Sequence, residues 1–297
     1  MRILIAGGSG FLGSRLRDTL ETDGHDVRIL TRTPRRHQDI RWAAATSDTG
    51  WWDALTATDA VINLAGTSIA GGRWTPARKA DIRDSRLRAT QAIVAGLDGT
   101  RSTAALISSS ATGYYGLHGD EPLTEDAPPG SDFLANVCRD WERAARETRS
   151  ATRVALLRTG LVLSREGGAL PRMALPFRFG AGGRIGSGRQ VMSWIHVDDW
   201  VGIVRWVLAT PEVTGPINLT APAPVTNAVF TRALAAALHR PAVVPAPAFA
   251  LRLLLGEMAE ALILGGQRVV PHKAIGLGYR FRFATIDDAL GQIYGDS

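Results

Sequence analysis

The chain has 297 residues, 45% of them hydrophobic and 21% charged, with 32 glycines. This fits one large α/β domain, or one domain plus a small extension, and excludes a disordered, collagen-like or disulfide-stapled protein. The net charge is +6, but the basic residues are 32 arginines and two lysines, Lys79 and Lys273, scattered among carboxylates as between Arg139 and Arg149 rather than gathered in the one-sided stripe of a nucleic-acid binder.

Ile3-Leu4-Ile5-Ala6 reads as a strand buried on both faces, and the glycines after it open a helix from Phe11 to Glu21. His25 to Thr31 reads as the second strand, and Asp59 to Leu64 as another, ending at Ala65-Gly66. A long helical pattern runs from Pro76 to Leu97, its proline suiting an early helical position. Thr103 to Ser108 reads as a strand, Asp132 to Thr148 as a helix and Arg153 to Leu157 as a strand. Strands alternating with helices imply an α/β fold with a parallel, doubly wound sheet.

Beyond Leu163 the pattern loosens. Gly180 to Gly188 reads as a loop, Trp194 to Asp199 leads into a helix through Leu208, Ile217 to Leu219 is a short strand, and Thr226 caps a helix to Leu238. Pro241, Pro245 and Pro247 mark a linker. The expected units are therefore 1–240, with a smaller substrate lobe mainly from 164–240, and a mostly helical unit at 241–297. In that unit Leu251, Leu254, Leu255, Met258, Leu262 and Ile263 form an apolar helical stripe ended by Gly265-Gly266-Gln267-Arg268, and Tyr279 to Phe283 alternates like a short strand. The four apolar residues before Gly7 are too few for a signal-peptide core. Ala248 to Leu264 contains Arg252, Glu257 and Glu260, too short and too charged a stretch for a membrane span. The expected location is the cytoplasm.

Gly7-Gly8-Ser9-Gly10-Phe11-Leu12-Gly13 is the central signal. Gly7 permits a tight turn, Gly10 lets a pyrophosphate approach the bare backbone, and Gly13 lets helix and strand pack closely. With Phe11 and Leu12 opening the helix, its free amides and dipole favour phosphate. About 20 residues past such a loop, an NAD-binding fold carries a carboxylate for the ribose hydroxyls. Here Thr31 is followed by Arg32, with Arg35 and Arg36 close behind. A guanidinium forks onto a phosphate where a carboxylate would repel it, so the expected cofactor is NADP(H) rather than NAD(H).

With these residues, the chain resembles the extended short-chain dehydrogenase/reductase superfamily. More narrowly, it is similar to the atypical, sugar-nucleotide-epimerase-like branch of NAD(P)-dependent epimerase-family proteins with a small C-terminal domain of uncharacterised function. The resemblance rests on Gly7 to Gly13, Asn63 to Gly66, Ser108 to Gly116, Arg158 to Leu163, Gly186 to Gln190, Trp194 to Asp199 and Asn218 to Pro222. It implies a Rossmann-type fold. It also implies that Leu64 and Ala65 border the adenine and its ribose, that Asp81 and Arg86 approach the cofactor, and that Val162 lies near the nicotinamide.

Members with a full site pair Ser or Thr with Tyr-x-x-x-Lys, and the tyrosine exchanges a proton with the substrate oxygen. The tyrosines here are Tyr114, Tyr115, Tyr279 and Tyr294, and none is followed four residues later by a lysine. Where the resemblance places the pair, an apolar residue stands for the tyrosine and Cys138 or Arg139 for the lysine. Ser110 matches the Ser/Thr position, and Tyr115 or Tyr114 is the nearest candidate proton donor. His196 reads as structural despite Asp198 and Asp199, and Cys138 as a buried thiol without a partner. No metal site is expected.

The expected function is an NADP(H)-binding oxidoreductase or epimerase-like enzyme acting by hydride transfer on a small carbonyl or hydroxyl compound, sugar nucleotides included. The alternative is a non-catalytic NADP(H)-binding sensor or interaction protein. The expected partner is a small-molecule substrate, with neither nucleic acid nor membrane, and a homodimer is compatible with the sequence.

Overall fold

Strand β1 (Arg2–Ala6) runs through the glycine turn into helix α1 (Phe11–Thr22), followed by β2 (Asp26–Thr31), β3 (Ile40–Arg41) and β4 (Ala60–Asn63). Next come α2 (Pro76–Thr100), β5 (Ala105–Ala111), β6 (Pro122–Leu123), α3 (Phe133–Arg146) and β7 (Val154–Thr159). The computed structural model describes residues 1–46, 48–151 and 153–295. Thr75 caps α2 by accepting the Arg78 amide, and Asp132 caps α3 by accepting the Ala135 amide at 2.9 Å.

The second half holds β8 (Leu161–Leu163), α4 (Leu170–Arg178), β9 (Val191–Met192), β10 (Trp194–His196), α5 (Val197–Ala209), β11 (Gly215–Leu219), β12 (Val225–Thr226) and α6 (Asn227–Ala237). The main sheet has the order β11-β7-β5-β4-β1-β2-β3, with every neighbouring pair parallel. From β1 the chain winds one way through β2 and the other way through β4, which places a ligand crevice over the carboxyl ends of β1 and β4. Alternate residues serve opposite layers. Ile3 and Ile5 pack with Leu16 and Leu20 of α1 and Val204 of α5, while Leu4 and Ala6 pack with Ile93 and Leu97 of α2. This burial on both faces is what the continuous apolar run at Ile3 predicts.

The smaller lobe has its own core, with Leu163, Phe177, Trp194, Phe230 and Leu234 at its centre. Helix α7 (Ala248–Leu255), α8 (Glu257–Ala259), a π-helical turn over Glu260–Leu264, β13 (Arg268–Val269), α9 (His272–Gly276) and α10 (Ile286–Tyr294) complete the chain. Ile286, Leu290 and Ile293 of α10 join the core of the smaller lobe. No helix among the described residues is long and apolar enough to cross a membrane.

Two expectations for the last unit are corrected. The apolar stripe is not one helix: Gly256, at φ +61°, breaks it, so Met258 turns in against Trp74 and Ile82 while Leu254 stays 69% exposed. Tyr279 to Phe283 is not a strand. The Asp199 carboxylate accepts the Arg282 and Phe283 amides at 2.8 Å each, taking the donors a neighbouring strand would have used.

Candidate active site

The glycine loop is built for close approach. Gly7 sits at φ +81°, and a Cβ there would come within 2.8 Å of the Leu64 carbonyl; one on Gly13 would lie 2.4 Å from the Gly7 oxygen. Gly10 differs: a Cβ there would meet only the Gly7 oxygen, at an ordinary 3.4 Å. Its bareness is not required by packing and leaves room for a ligand. Gly10 also caps α1 without a side-chain hydrogen bond, and no carboxylate sits in the first turn. The helix therefore offers uncapped amides to an anion.

From this loop a cavity of about 610 Å³ runs across the carboxyl ends of the central strands. Gly7, Gly10, Phe11, Leu12, Gly13, Leu64 and Arg86 line one end, and Ser109 to Gly113, Leu134, Cys138 and Trp141 line its middle. Leu262, Gly265, Gly266 and Gln267 of the C-terminal unit close the far side. Of the stretch from Gly180 to Met192, Val191 and Met192 line the cavity, as does the next residue, Ser193, while Ile185 bridges to Ala246.

Arg86 donates through Nη1 to the Thr67 and Ile82 carbonyls at 3.0 and 2.9 Å and packs over the Trp141 ring. Among the described residues no carboxylate forms a direct ion pair with it, and Asp81 acts on it only as a weaker, more distant charge. Burial lowers its pKa, the mark of a cation short of counter-charge. Arg32 is exposed at the end of β2, just past the buried Thr31, and has no ion-pair partner among the described residues. Arg36 is committed elsewhere, to Glu21 at 2.8 Å. Ala65, beside Leu64, has its amide held by Asn63 Oδ1 at 3.2 Å.

Three cofactor and register expectations shift. Asp81 is exposed, is bound to Arg78 at 2.9 Å and is not among the residues that line the cavity, though its charge reaches Arg86. Val162 points into the main core, and its neighbour Leu161 lines the cavity, because successive strand residues face opposite ways. Leu134 and Cys138 stand four residues apart on the wall, while Arg139 is exposed. Burial, then the nearby Glu142 carboxylate, pushes the Cys138 thiol up to about 12, so it stays protonated.

Ser110 is on the wall and donates its hydroxyl to Glu142 Oε1 at 2.7 Å. Glu142 is gripped at both oxygens by Arg158, through Nε at 2.8 Å and Nη2 at 2.9 Å, with all three side chains buried. Burial works against the Arg158 charge, but these bonds outweigh it and hold its pKa above the ordinary value. The tyrosine expectation is corrected by the same network. Tyr115 is 0% exposed and outside the cavity lining. Its hydroxyl donates to Asn218 Oδ1 at 2.6 Å and accepts from Arg158 Nη1 at 2.9 Å, and burial pushes its pKa up to about 12. Tyr114 also lies outside the lining, its ring stacked under the Arg158 guanidinium at 3.5 Å. Both tyrosines therefore brace Arg158.

Sequence reasoning missed Glu142, Arg158 and Gln267 as parts of this site. Glu142 carried a legible signal, an acid on the otherwise apolar face of Leu134, Val137, Cys138 and Trp141. His196 is structural, as expected. Its Nδ1 accepts the Asp198 amide at 3.1 Å, which leaves Nε2 to donate to Gln292 Oε1 at 2.9 Å. Among the described residues no cluster suits a metal ion.

The profile of the NAD dependent epimerase/dehydratase family matches residues 3–219, and that of a domain of unknown function matches residues 246–293. The epimerase family protein Mb2239 of Mycobacterium bovis is 44% identical over 97% of this chain and 96% of that one. The crystal structure of the human epimerase family protein SDR39U1 (isoform 2) with NADPH superposes with a TM-score of 0.90 at 34% identity, covering 100% of both chains. That of the nucleoside-diphosphate sugar epimerase from Corynebacterium glutamicum gives 0.83 at 33% identity, covering 100% of this chain and 59% of that one.

Proposed function

The chain belongs to the NAD-dependent epimerase/dehydratase family, and on that footing we propose that it is an NADP(H)-dependent oxidoreductase, or epimerase-like enzyme, acting on a small carbonyl or hydroxyl compound. The observation that carries the cofactor choice is Arg32, exposed and without an ionic partner among the described residues where NAD-binding folds hold a carboxylate. The NADPH in the human relative's structure supports the same choice.

The residues fit the cofactor. Gly10 and the uncapped start of α1 suit its pyrophosphate, Arg32 its 2′-phosphate, Leu64 and Ala65 its adenine side, and Arg86 its negative charge. When bound, the cofactor supplies hydride chemistry. The chain's own task is to place the substrate oxygen, and Ser110 is the polar side chain we assign to it.

The same wall supports a second reading. No tyrosine or lysine lines the cavity among the described residues, as in a protein that binds NADP(H) without turning over a substrate. Fluorescence titration with NADPH and NADH, followed by turnover assays on a carbonyl panel, separates the readings. NADPH should bind about tenfold or more tighter than NADH. Equal affinities would overturn the cofactor choice, turnover supports the enzyme, and tight NADPH binding without turnover across the panel supports the second reading.

A further inference from the structure

We propose that the half of the cavity beyond the cofactor takes an uncharged compound with an apolar body and a hydroxyl group, and that the C-terminal unit supplies the wall that selects it. This rests on the reading of the glycine end as the NADP(H) site.

The first observation is charge. Among the described residues that line the cavity, Arg86 is the one charged side chain, and it lies against Gly66 and Thr67 on the cofactor side. Arg268, next to the lining residue Gln267, is bound to Asp120. A sugar nucleotide would bring a diphosphate into this half of the site, where a desolvated anion needs cations or free donors to hold it. The wall there includes Leu134, Val137, Leu161 and Leu262, with the neutral Cys138 thiol and the uncharged polar groups Thr112, Ser193 and Gln267 among them; the Ser193 hydroxyl and the Gln267 amide already donate to the Gln267 and Thr112 carbonyls, at 2.7 and 3.1 Å. Such a wall favours apolar surface.

The second observation is polarity at Ser110. Its proton is committed to the Glu142 carboxylate, which Arg158 holds at both oxygens. What Ser110 offers a ligand is therefore an acceptor oxygen. It suits a substrate hydroxyl, which donates, better than a carbonyl, which cannot.

The third observation is that the C-terminal wall is held in place. The Lys79 ammonium bonds both Glu257 oxygens, at 2.9 and 2.8 Å, Gln190 Nε2 donates to the Ile263 carbonyl at 3.2 Å, and Gln267 Nε2 donates to the Thr112 carbonyl at 3.1 Å. Between these anchors the π-helical turn puts two consecutive residues, Ala261 and Leu262, on the cavity. Helical irregularities of this kind recur at functional sites.

The test is saturation-transfer NMR on the NADP⁺-loaded protein with 1-phenylethanol, 1-indanol, 1-tetralol and UDP-glucose, in the native chain and in Leu262→Glu, Leu262→Ala and Ser110→Ala. At least one of the neutral alcohols should show transfer, weakened about tenfold by Leu262→Glu and by Ser110→Ala and less by Leu262→Ala; UDP-glucose should show none. Transfer to UDP-glucose, transfer to none of the alcohols, or alcohol transfer indifferent to Leu262 and Ser110 would overturn the proposal. NADPH titration of each protein keeps the two readings apart. Failure of the native chain to bind NADPH defeats the cofactor reading, whereas intact NADPH binding with any overturning result defeats this proposal alone. If Leu262→Glu does not fold, the smaller loss in Leu262→Ala is the deciding measurement.

Discussion

The Ser110 hydroxyl and the Glu142 carboxylate meet at 2.7 Å, beneath a cavity wall on which no tyrosine or lysine stands among the described residues. Arg158 holds the same carboxylate at two points, so Glu142 fixes Ser110 and is itself fixed. Replacing one partner of a buried pair strands the other charge, at a cost of about 3–5 kcal/mol. Glu142→Gln should approach the lower end of that range in urea denaturation, because an amide keeps some hydrogen bonding to Arg158. Ser110→Ala leaves the Arg158–Glu142 pair intact and should cost only about 1 kcal/mol. It should leave NADPH affinity unchanged while weakening the response to a substrate about tenfold.

Tyr115→Phe tests whether that tyrosine braces or reacts. Its hydroxyl satisfies both Asn218 Oδ1 and Arg158 Nη1 in a fully buried setting. Deleting it leaves two buried polar groups short of a partner, and stability should fall by about 1–3 kcal/mol. NADPH affinity should not change. Unchanged denaturation with lost turnover would return Tyr115 to the proton-transfer part that its sequence position suggested.

Arg32→Asp should weaken NADPH binding by about tenfold or more and alter NADH binding only about twofold. Arg36→Ala should not reproduce the effect, because Arg36 is already held by Glu21 at 2.8 Å. Fluorescence titration of both variants with both nucleotides is the check. Equal losses of NADPH and NADH after Arg32→Asp would mean the residue supports the loop rather than reading the phosphate.

The cofactor half of this site is readable in sequence because it is local. Gly7 to Gly13 and Arg32 act through backbone shape and one nearby strand end, so their spacing carries the geometry. The substrate half is not local. Ser110 and Glu142 lie 32 residues apart, and Tyr115 and Asn218 lie 103 apart. No periodicity could show that the Tyr115 hydroxyl, five residues past Ser110, meets Arg158 rather than the cavity. The register at Cys138 depends on which face of α3 the sheet covers, and the fate of Val162 on a single strand residue turning inward. The fold itself was legible through its alternating buried strands. The broken helix at Gly256 was not, because an apolar stripe does not show which residue takes a positive φ.

His196 gives a prediction with a definite pH direction. It is 2% exposed, caps α5 through Nδ1 and packs on the Phe283 ring at 4.0 Å. Burial lowers its pKa from 6.5, against the upward pull of Asp198 and of the Gln292 hydrogen bond. The unfolded chain therefore takes up the histidine proton first on acidification, and folded-state stability falls as pH drops below about 6.5. Asp199 works the other way, because burial raises its pKa above its ordinary value and the folded state binds its proton first. His196→Asn keeps an acceptor for the Asp198 amide and removes the titration. The variant should melt lower than the native chain at about pH 7.5, having lost the Gln292 bond and the ring contact, yet its Tm should fall less between about pH 7.5 and about pH 5.5. Parallel melting curves for the two proteins across that interval would assign the acid sensitivity to other groups.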